Sequence, residues 1–301
     1  MDKYELIKNI LTELALLSIE FREYIIIDKE DKSPVTELDI INQYICEDIV
    51  NYFYPNDKII AEENTNNSFA IQTIKKYMTI IDKFVKKIKE KEFNIENKSE
   101  NIWFIDPIDG TKGFIDNKTY SIVISVTNKN ELINSGIATI GLNTLFKSIP
   151  NIIIATTDGL KMEVCNDKKE KIILNEIDKK NRTIAISRKH RSKEIYKLLK
   201  NKNYDLIEID SQAKYLVVAL NFVDIYIREE GSCGNKNDYA WDHLAGIHLV
   251  KSIGGLTLDY NKNEPKFDTK DGRMYFDKYL ITAKNLVIYS DLLENIRKEN
   301  L

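Results

Sequence analysis

Two carboxylates, Asp106 and Asp109, stand close together in WFIDPIDGTKGF (103–114), directly after a run of apolar residues. Glu62 ends another predicted strand, and Asp242 opens a predicted helix. Strand ends and helix starts are where open α/β sheets collect ligands, so these acids can converge. Converging carboxylates repel one another and stay ionised together only when a cation neutralises them. The set therefore predicts a site for a hard divalent cation with oxygen ligands, above all Mg²⁺.

The Gly110-Thr111 pair that follows these acids adds groups suited to an anion. Backbone N–H groups near Gly110 and the hydroxyl of Thr111 would lie beside the cation, and this arrangement suits an oxyanion such as phosphate. Pro107 restricts the backbone between the two acids. Taken singly, each acid is more often a helix cap or a solvated turn residue. The compact DPIDGT sequence is what favours a metal site that handles phosphate.

Composition limits the functions that this chain can have. Its net charge is −3 over 301 residues, so it lacks the overall basic charge with which proteins attract nucleic acid. No stretch approaches the ~18 apolar residues of a membrane span, and residues 1–17 have helical spacing rather than the apolar core of a signal peptide. Three widely spaced cysteines predict reduced thiols. We therefore expect a cytoplasmic protein without nucleic-acid or membrane partners.

The elements that must position the acids can be predicted from hydrophobic spacing. Apolar residues recur at helical intervals over 7–21, 38–52 and 74–88. The sequence SPVTE (33–37) breaks the chain between the first two of these helices, and its threonine is placed to cap the second. Runs rich in β-branched residues follow the DPIDGT sequence, at 120–127, 132–140 and 151–157.

From about residue 180, predicted strands and helices alternate, which is typical of α/β layers. The last long helix is closed by the Gly254-Gly255 pair. We therefore predict an α/β fold with layered α+β character and two domains. Residues 1–180 would form an N-terminal α+β domain with most of the acids, and residues 181–301 a C-terminal α/β domain.

Three blocks of the sequence together resemble one family. WFIDPIDGTKGF is similar to the metal-binding signature of the inositol monophosphatase superfamily, whose members are lithium-sensitive, Mg²⁺-dependent phosphatases. IIAEEN (59–64) resembles its strand-ending acidic motif, and WDHLAGIHLVKSIGG (241–255) resembles its second signature. The blocks stand in the family's order and span most of the chain. The resemblance implies a two-domain αβαβα sandwich of the inositol monophosphatase / fructose-1,6-bisphosphatase type.

Shorter sequences are similar to one branch of that superfamily, the 3′(2′),5′-bisphosphate nucleotidases. These sequences are SPVTELD (33–39), SRKH (187–190), DSQAKY (210–215) and VDIYIR (223–228). Simple inositol monophosphatases tend to carry small neutral residues where Lys214 stands. A basic residue there suits a substrate with two phosphates. The resemblance thus implies hydrolysis of adenosine 3′,5′-bisphosphate to AMP and phosphate, or of 3′-phosphoadenosine 5′-phosphosulfate, which differs only beyond the 5′-phosphate.

The same resemblance implies a role for each matching residue. Two or three Mg²⁺ ions would be held by side chains and one backbone carbonyl, those of Glu62, Asp106, Ile108 (carbonyl), Asp109 and Asp242. Thr111, supported by Asp39 or Glu62, would position the attacking water and help to deprotonate it. The substrate would be bound by residues from both halves of the chain: Gly110, Thr111, His190, Ser211, Lys214, Arg228 and Asp242.

Several alternatives remain open from the sequence. The chain could instead be an inositol polyphosphate 1-phosphatase or inositol monophosphatase, or a non-catalytic sensor of nucleotide or metal. Individual residues also have simpler interpretations: Asp39 as part of a capping box, Ser211 as a helix cap, Lys214 as a solvated helix residue and Arg228 as a surface charge. We expect a small-molecule substrate and either a monomer or a homodimer.

Overall fold

The structure is a computed structural model of the chain. It describes residues 3–21, 24–29, 33–91, 100–173, 181–188, 192–230 and 238–299. Among these ranges, no helix is long and apolar enough to cross a membrane.

The first part of the chain forms a six-stranded sheet and the helices that cover one of its faces. In chain order these elements are α1 (Lys3–Glu20), β1 (Ile26–Asp28), β2 (Pro34–Thr36), α2 (Glu37–Phe53), β3 (Lys58–Ala61), α3 (Ser68–Lys89), β4 (Asn101–Asp109), α4 (Thr111–Ile115), β5 (Tyr120–Asn128), β6 (Glu131–Ile140), β7 (Ile152–Thr157) and β8 (Met162–Cys165). The sheet order is β3-β4-β5-β6-β7-β8. The β3–β4 pair is parallel and the others are antiparallel.

The second part forms a five-stranded sheet, a small three-stranded sheet and four helices. Its elements are β9 (Thr183–Ile186), α5 (Lys193–Asn201), β10 (Asp205–Glu208), α6 (Ala213–Ala219), β11 (Ile225–Glu229), β12 (Asp238–Tyr239), α7 (Leu244–Ser252), β13 (Leu256–Asp259), β14 (Lys266–Phe267), β15 (Arg273–Tyr275), β16 (Tyr279–Ala283) and α8 (Leu286–Lys298). The larger sheet has the order β10-β9-β11-β16-β13, and the smaller has the order β12-β15-β14. A single 3₁₀ turn, Ala240–Asp242, precedes α7.

Alternating side chains along the first sheet divide the core into layers. On β5, Ile122 and Ile124 pack with α1, α2 and α3, whereas Val123 between them packs with α6 and α7. This is the period-two pattern of a sheet that is buried on both faces. The far side of the second sheet is covered by α5 and α8. The layers therefore run helix, sheet, helix, sheet, helix, and the predicted αβαβα fold class is confirmed.

The structure also tests predictions about individual elements of the fold. Thr36 caps α2 in a capping box with Asp39, as the spacing predicts. The SPVTE sequence separates α1 from α2, as predicted. The sequence did not predict that its residues Pro34–Thr36 form β2 and pair antiparallel with β1. The predicted domain boundary near residue 180 adjoins residues 174–180, which lie outside the described residues, so the division into two domains stays a prediction.

Candidate active site

Three of the predicted acids meet at one end of the first sheet. Oxygen atoms of Asp106, Asp109 and Asp242 all lie within 4.8 Å of one another. The first two come from the end of β4, where the pairing with β5 shifts register between Asp106 and Asp109. Pro107 lies in that irregularity and has no N–H to donate to the neighbouring strand. Asp242 arrives from the other half of the chain, at the end of the 3₁₀ turn before α7.

The electrostatics of these acids fit a divalent cation. Burial raises the pKa of Asp106 and of Asp242 well above the usual range, and the charge of Glu62 raises both further. Burial also raises the pKa of Asp109 to about 6, although Lys214 opposes the shift. The Oδ2 atom of Asp106 is buried and accepts no hydrogen bond. A buried orphan oxygen among like charges is costly, and a hard cation with oxygen ligands would relieve both penalties.

Glu62 lies beside this cluster but is held by a lysine. Its backbone N–H donates to the carbonyl of Ile105 on the parallel neighbour β4, at 3.2 Å. Its carboxylate accepts from Lys29 Nζ at 2.8 Å, and Lys29 also pairs with Glu63. Burial and the charge of Glu62 raise the pKa of Glu63 to about 8. Sequence reasoning missed Lys29, because nothing in its spacing distinguishes it from the charged residues around it.

Asp39 contacts both Thr36 and Thr111. Its Oδ2 accepts from the backbone N–H of Thr36 at 2.8 Å, and its own backbone N–H donates to the Thr36 hydroxyl oxygen at 3.4 Å, as a capping box requires. Its Oδ1 lies 3.1 Å from the hydroxyl oxygen of Thr111, which is also 3.1 Å from the carbonyl oxygen of Ile108. Burial raises the pKa of Asp39 to about 6. Asp39 thus fixes the start of α2 and contacts the threonine that follows the acids.

The DSQAKY sequence closes the site from the second half of the chain. The backbone N–H of Gln212 donates to Asp109 Oδ2. The Gln212 side chain donates to the carbonyl of Trp241 at 2.6 Å and accepts from the N–H of Gly246 at 3.0 Å. One residue therefore ties the end of β4 to the turn that carries Asp242. Sequence reasoning missed Gln212, although it lies between two residues that the family resemblance singled out.

Ser211 faces Gly110 across the site. Its hydroxyl oxygen lies 2.9 Å from that of Ser121 and accepts from the N–H of Ala213 at 3.2 Å. Gly110 has φ +85°, and a Cβ on it would lie 3.2 Å from the Ser211 Cβ. The left-handed backbone and the close approach both favour glycine at this position. The N-cap of α6 is Gln212, so the interpretation of Ser211 as the helix cap was wrong. Ser211 precedes the cap and packs on the predicted phosphate-binding turn.

Lys214 is buried, so its interpretation as a solvated helix residue was wrong. Its ammonium group donates to the carbonyl of Ser211 at 2.6 Å and lies 5.3 Å from the centre of the Tyr226 ring. Burial lowers the pKa of Lys214, while the nearby carboxylates of Asp109 and Asp210 oppose that shift. A buried positive charge thus lies close to the acidic cluster.

Arg228 is not a surface charge either, because it belongs to a buried polar chain. Its Nε and Nη2 donate to Asp238 Oδ1 at 3.0 and 2.7 Å. The same oxygen lies 3.2 Å from His243 Nε2, and His243 Nδ1 lies 2.7 Å from the hydroxyl of Tyr215. This series of hydrogen bonds includes His243, which directly follows Asp242 in the sequence. Sequence reasoning missed Asp238 and His243 as partners of Arg228, and the predicted His190 lies outside the described residues.

Replacing Asp238 by alanine is expected to lower the free energy of unfolding by about 3–5 kcal/mol, because it removes a buried carboxylate that accepts two hydrogen bonds from Arg228. Urea unfolding followed by circular dichroism measures the change. The matched control is Asp271→Ala, which breaks an exposed ion pair with Arg273 and should cost less than about 1 kcal/mol. Equal, small losses in the two variants would contradict the assignment of Asp238 as the buried partner of Arg228.

The protein therefore has a layered α/β architecture. The acids that converge at the end of its first sheet form a candidate divalent-cation site suited to phosphate chemistry. A model of the inositol monophosphatase family matches residues 4–300, and the chain belongs to this family. The predicted family is therefore confirmed. Solved structures show the same fold. An inositol monophosphatase–fructose 1,6-bisphosphatase aligns with a TM-score of 0.66 at 20% identity, over 98% of this chain and all (100%) of that one. An IMPase/NADP phosphatase complexed with Mg²⁺ and phosphate aligns with a TM-score of 0.62 at 13% identity, over 95% and 90%.

Curated relatives carry a more specific name. A probable 3′(2′),5′-bisphosphate nucleotidase of Arabidopsis thaliana is 21% identical, with 91% of this chain and 88% of the relative aligned. A 3′(2′),5′-bisphosphate nucleotidase of Dictyostelium discoideum is 24% identical over 90% and 88% of the two chains. One from Candida albicans is 26% identical over 89% and 87%. This chain is similar to these nucleotidases over most of its length.

Proposed function

We propose that this protein hydrolyses the 3′-phosphate of adenosine 3′,5′-bisphosphate, giving AMP and phosphate, and that it also accepts 3′-phosphoadenosine 5′-phosphosulfate. The observation that carries this proposal is the buried charge of Lys214 close to the acidic cluster. A second positive charge beside a phosphate-handling metal site suits a substrate with two anionic groups. The names of the curated relatives support the same substrate class.

The cation that this site would hold is Mg²⁺, in two or three copies. Its ligands would be the oxygens of Glu62, Asp106, Asp109, Asp242 and the Ile108 carbonyl. When bound, such ions act as Lewis acids that increase the acidity of water and stabilise charge on a transferring phosphoryl group. The unpartnered Asp106 Oδ2 supports this assignment.

The protein's own groups would orient the attacking water. The Thr111 hydroxyl donates to Asp39 Oδ1 in the structure's geometry, which leaves its oxygen able to accept a hydrogen bond from water. Asp39 is fixed by Thr36 and can receive the proton that passes through Thr111. A P–O bond to the water oxygen forms as the bond to the 3′ oxygen breaks, and the 3′ oxygen takes up a proton from solvent.

The remaining substrate contacts would come from the second half of the chain. The backbone around Gly110 would hold the phosphate that is removed. Ser211, Lys214 and Arg228 would hold the nucleotide and its 5′-phosphate, together with His190. Lys214 uses one of its three N–H groups on the Ser211 carbonyl. We also propose that the protein acts in the cytoplasm, as a monomer or homodimer.

Phosphate release from a panel of esters tests the proposal. With Mg²⁺, we expect adenosine 3′,5′-bisphosphate to be hydrolysed faster than inositol 1,4-bisphosphate and inositol 1-phosphate. EDTA should abolish release, and added Mg²⁺ should restore it, because the clustered acids need a cation. Preference for an inositol substrate would instead identify an inositol phosphatase. Absence of release from every ester with Mg²⁺ would favour a non-catalytic sensor.

A further inference from the structure

Three lysines from two separate parts of the chain, the end of α3 and the turn after β8, converge on α1. We name them the lysine cluster: Lys87, Lys91 and Lys169. Lys91 and Lys169 both donate to Asn9 Oδ1, the latter at 2.6 Å. Lys87 donates to Glu13 Oε2 at 2.6 Å, one turn further along α1. Because two ammonium groups share one oxygen, they lie within about 5 Å of each other.

The charges in this cluster do not balance. Among the described residues that act on Lys169, the Glu13 carboxylate contributes negative charge, while Lys87 and Lys91 contribute positive charge. Asn9 contributes a neutral oxygen. Within the part of the chain that the structure describes, these three ammonium groups and the Glu13 carboxylate give an excess of two positive charges. Burial, followed by the neighbouring Lys91, lowers the pKa of Lys169 to about 8.

The oxygen atoms that hold these three lysines belong to buried side chains of α1. Asn9 and Glu13 are both buried. Asn9 is held by its own amide group, which donates to the Glu5 carbonyl at 2.7 Å. Lys169 lies in the turn after β8, where its φ is +63° and its N–H donates to the Asn166 carbonyl at 3.0 Å. The positive groups are therefore fixed by three elements that supply none of the acids of the candidate active site.

We propose that the lysine cluster binds a divalent tetrahedral oxyanion, inorganic sulfate or phosphate, between the ammonium groups of Lys91 and Lys169. An anion with two negative charges balances the excess positive charge of the cluster, and its oxygens can accept hydrogen bonds from both lysines. Bound between α1, the end of α3 and the turn after β8, the anion would link these elements and stabilise the fold. The site is independent of the proposed enzymatic activity.

Calorimetric titration of the whole, EDTA-treated protein with sodium sulfate and then with potassium phosphate tests the proposal. We expect binding with a dissociation constant on the order of 1 mM. Lys169→Gln should weaken it by about tenfold or more, because one of the two flanking charges is lost. Lys83→Gln removes the same charge from an exposed position on α3 and should leave binding unchanged. Binding near the substrate-binding residues would persist in Lys169→Gln, so the two locations are distinguishable.

Thermal unfolding separates anion binding from a purely structural contact between lysine and asparagine. Sulfate stabilises most proteins by exclusion from their surfaces, so the stabilisation by sulfate over chloride that remains in Lys169→Gln, at equal ionic strength, measures that general effect. Lys83→Gln controls for the loss of a lysine charge. The melting temperature of wild type should rise in sulfate by the same amount as that of Lys83→Gln. The melting temperature of Lys169→Gln should rise by less. In chloride, Lys169→Gln should be at least as stable as wild type, because its amide still reaches Asn9 without the repulsion. Equal sulfate responses in all three proteins, or a loss of stability in chloride alone, would overturn the proposal.

Discussion

Replacing Asp109 by asparagine is expected to abolish turnover while leaving the fold intact. Asp109 supplies one of three carboxylates that lie within 4.8 Å of one another, so its loss removes a full charge from the candidate cation site. Asparagine keeps an oxygen that can accept the backbone N–H of Gln212, so the contact between the two halves of the chain can survive. We expect kcat to fall by about 10³-fold or more, which corresponds to about 4 kcal/mol of transition-state stabilisation.

The measurement is phosphate release from adenosine 3′,5′-bisphosphate at saturating Mg²⁺, with circular dichroism and a thermal scan to establish folding. Asp116→Asn is the matched control, because Asp116 is an exposed acid at the end of α4. Its activity should equal that of wild type. Near-wild-type activity in Asp109→Asn would show that the site is misplaced, whatever the substrate.

Helices and strands whose buried residues recur at regular spacing were predictable from the sequence. Ile122, Val123 and Ile124 alternate between two buried faces, and β-branched residues in such a run indicate a strand. The β1–β2 hairpin was not predictable in this way, since Ile26 and Ile27 of β1 are exposed. Hydrophobic spacing reports burial, so it carries no information on a strand whose apolar residues face outward. Pro34 is the first residue of β2, a position at which a strand tolerates proline.

The acids of the site could be predicted, but their partners could not. Asp106 and Asp109 lie in one short motif, and their types alone indicate a cation. Gln212 contacts Asp109 across 103 residues of chain, and Lys29 contacts Glu62 across 33. Such contacts depend on how two sheets and their intervening helices pack, and a side-chain type at one position does not specify its distant neighbour. Family resemblance identified Lys214, whereas only the structure shows that it is buried.

Replacing Lys214 by alanine is expected to reduce activity on bisphosphates far more than activity on monophosphates. The ammonium group is buried near Asp109, where a second phosphate that it contacts would also be shielded from water. Truncating one partner of such a buried charge pair costs about 2–5 kcal/mol, so kcat/KM for adenosine 3′,5′-bisphosphate should fall by about 10²-fold. Adenosine 3′-monophosphate lacks the 5′-phosphate, and its kcat/KM should change by only about threefold or less.

The role of the Lys214 charge is tested by the ratio between the loss of kcat/KM for the bisphosphate and the loss for the monophosphate, rather than by either loss alone. Lys214 also holds the Ser211 carbonyl, so its removal can disturb the loop that brings Gln212 to Asp109. That disturbance lowers activity on both substrates together and leaves the ratio unchanged. Lys214→Met keeps the apolar length of the side chain without its charge, and it should show the same selective loss as Lys214→Ala. Equal losses for both substrates, or recovery of bisphosphate activity in Lys214→Met, would mean that Lys214 supports the loop and that the second phosphate is recognised elsewhere.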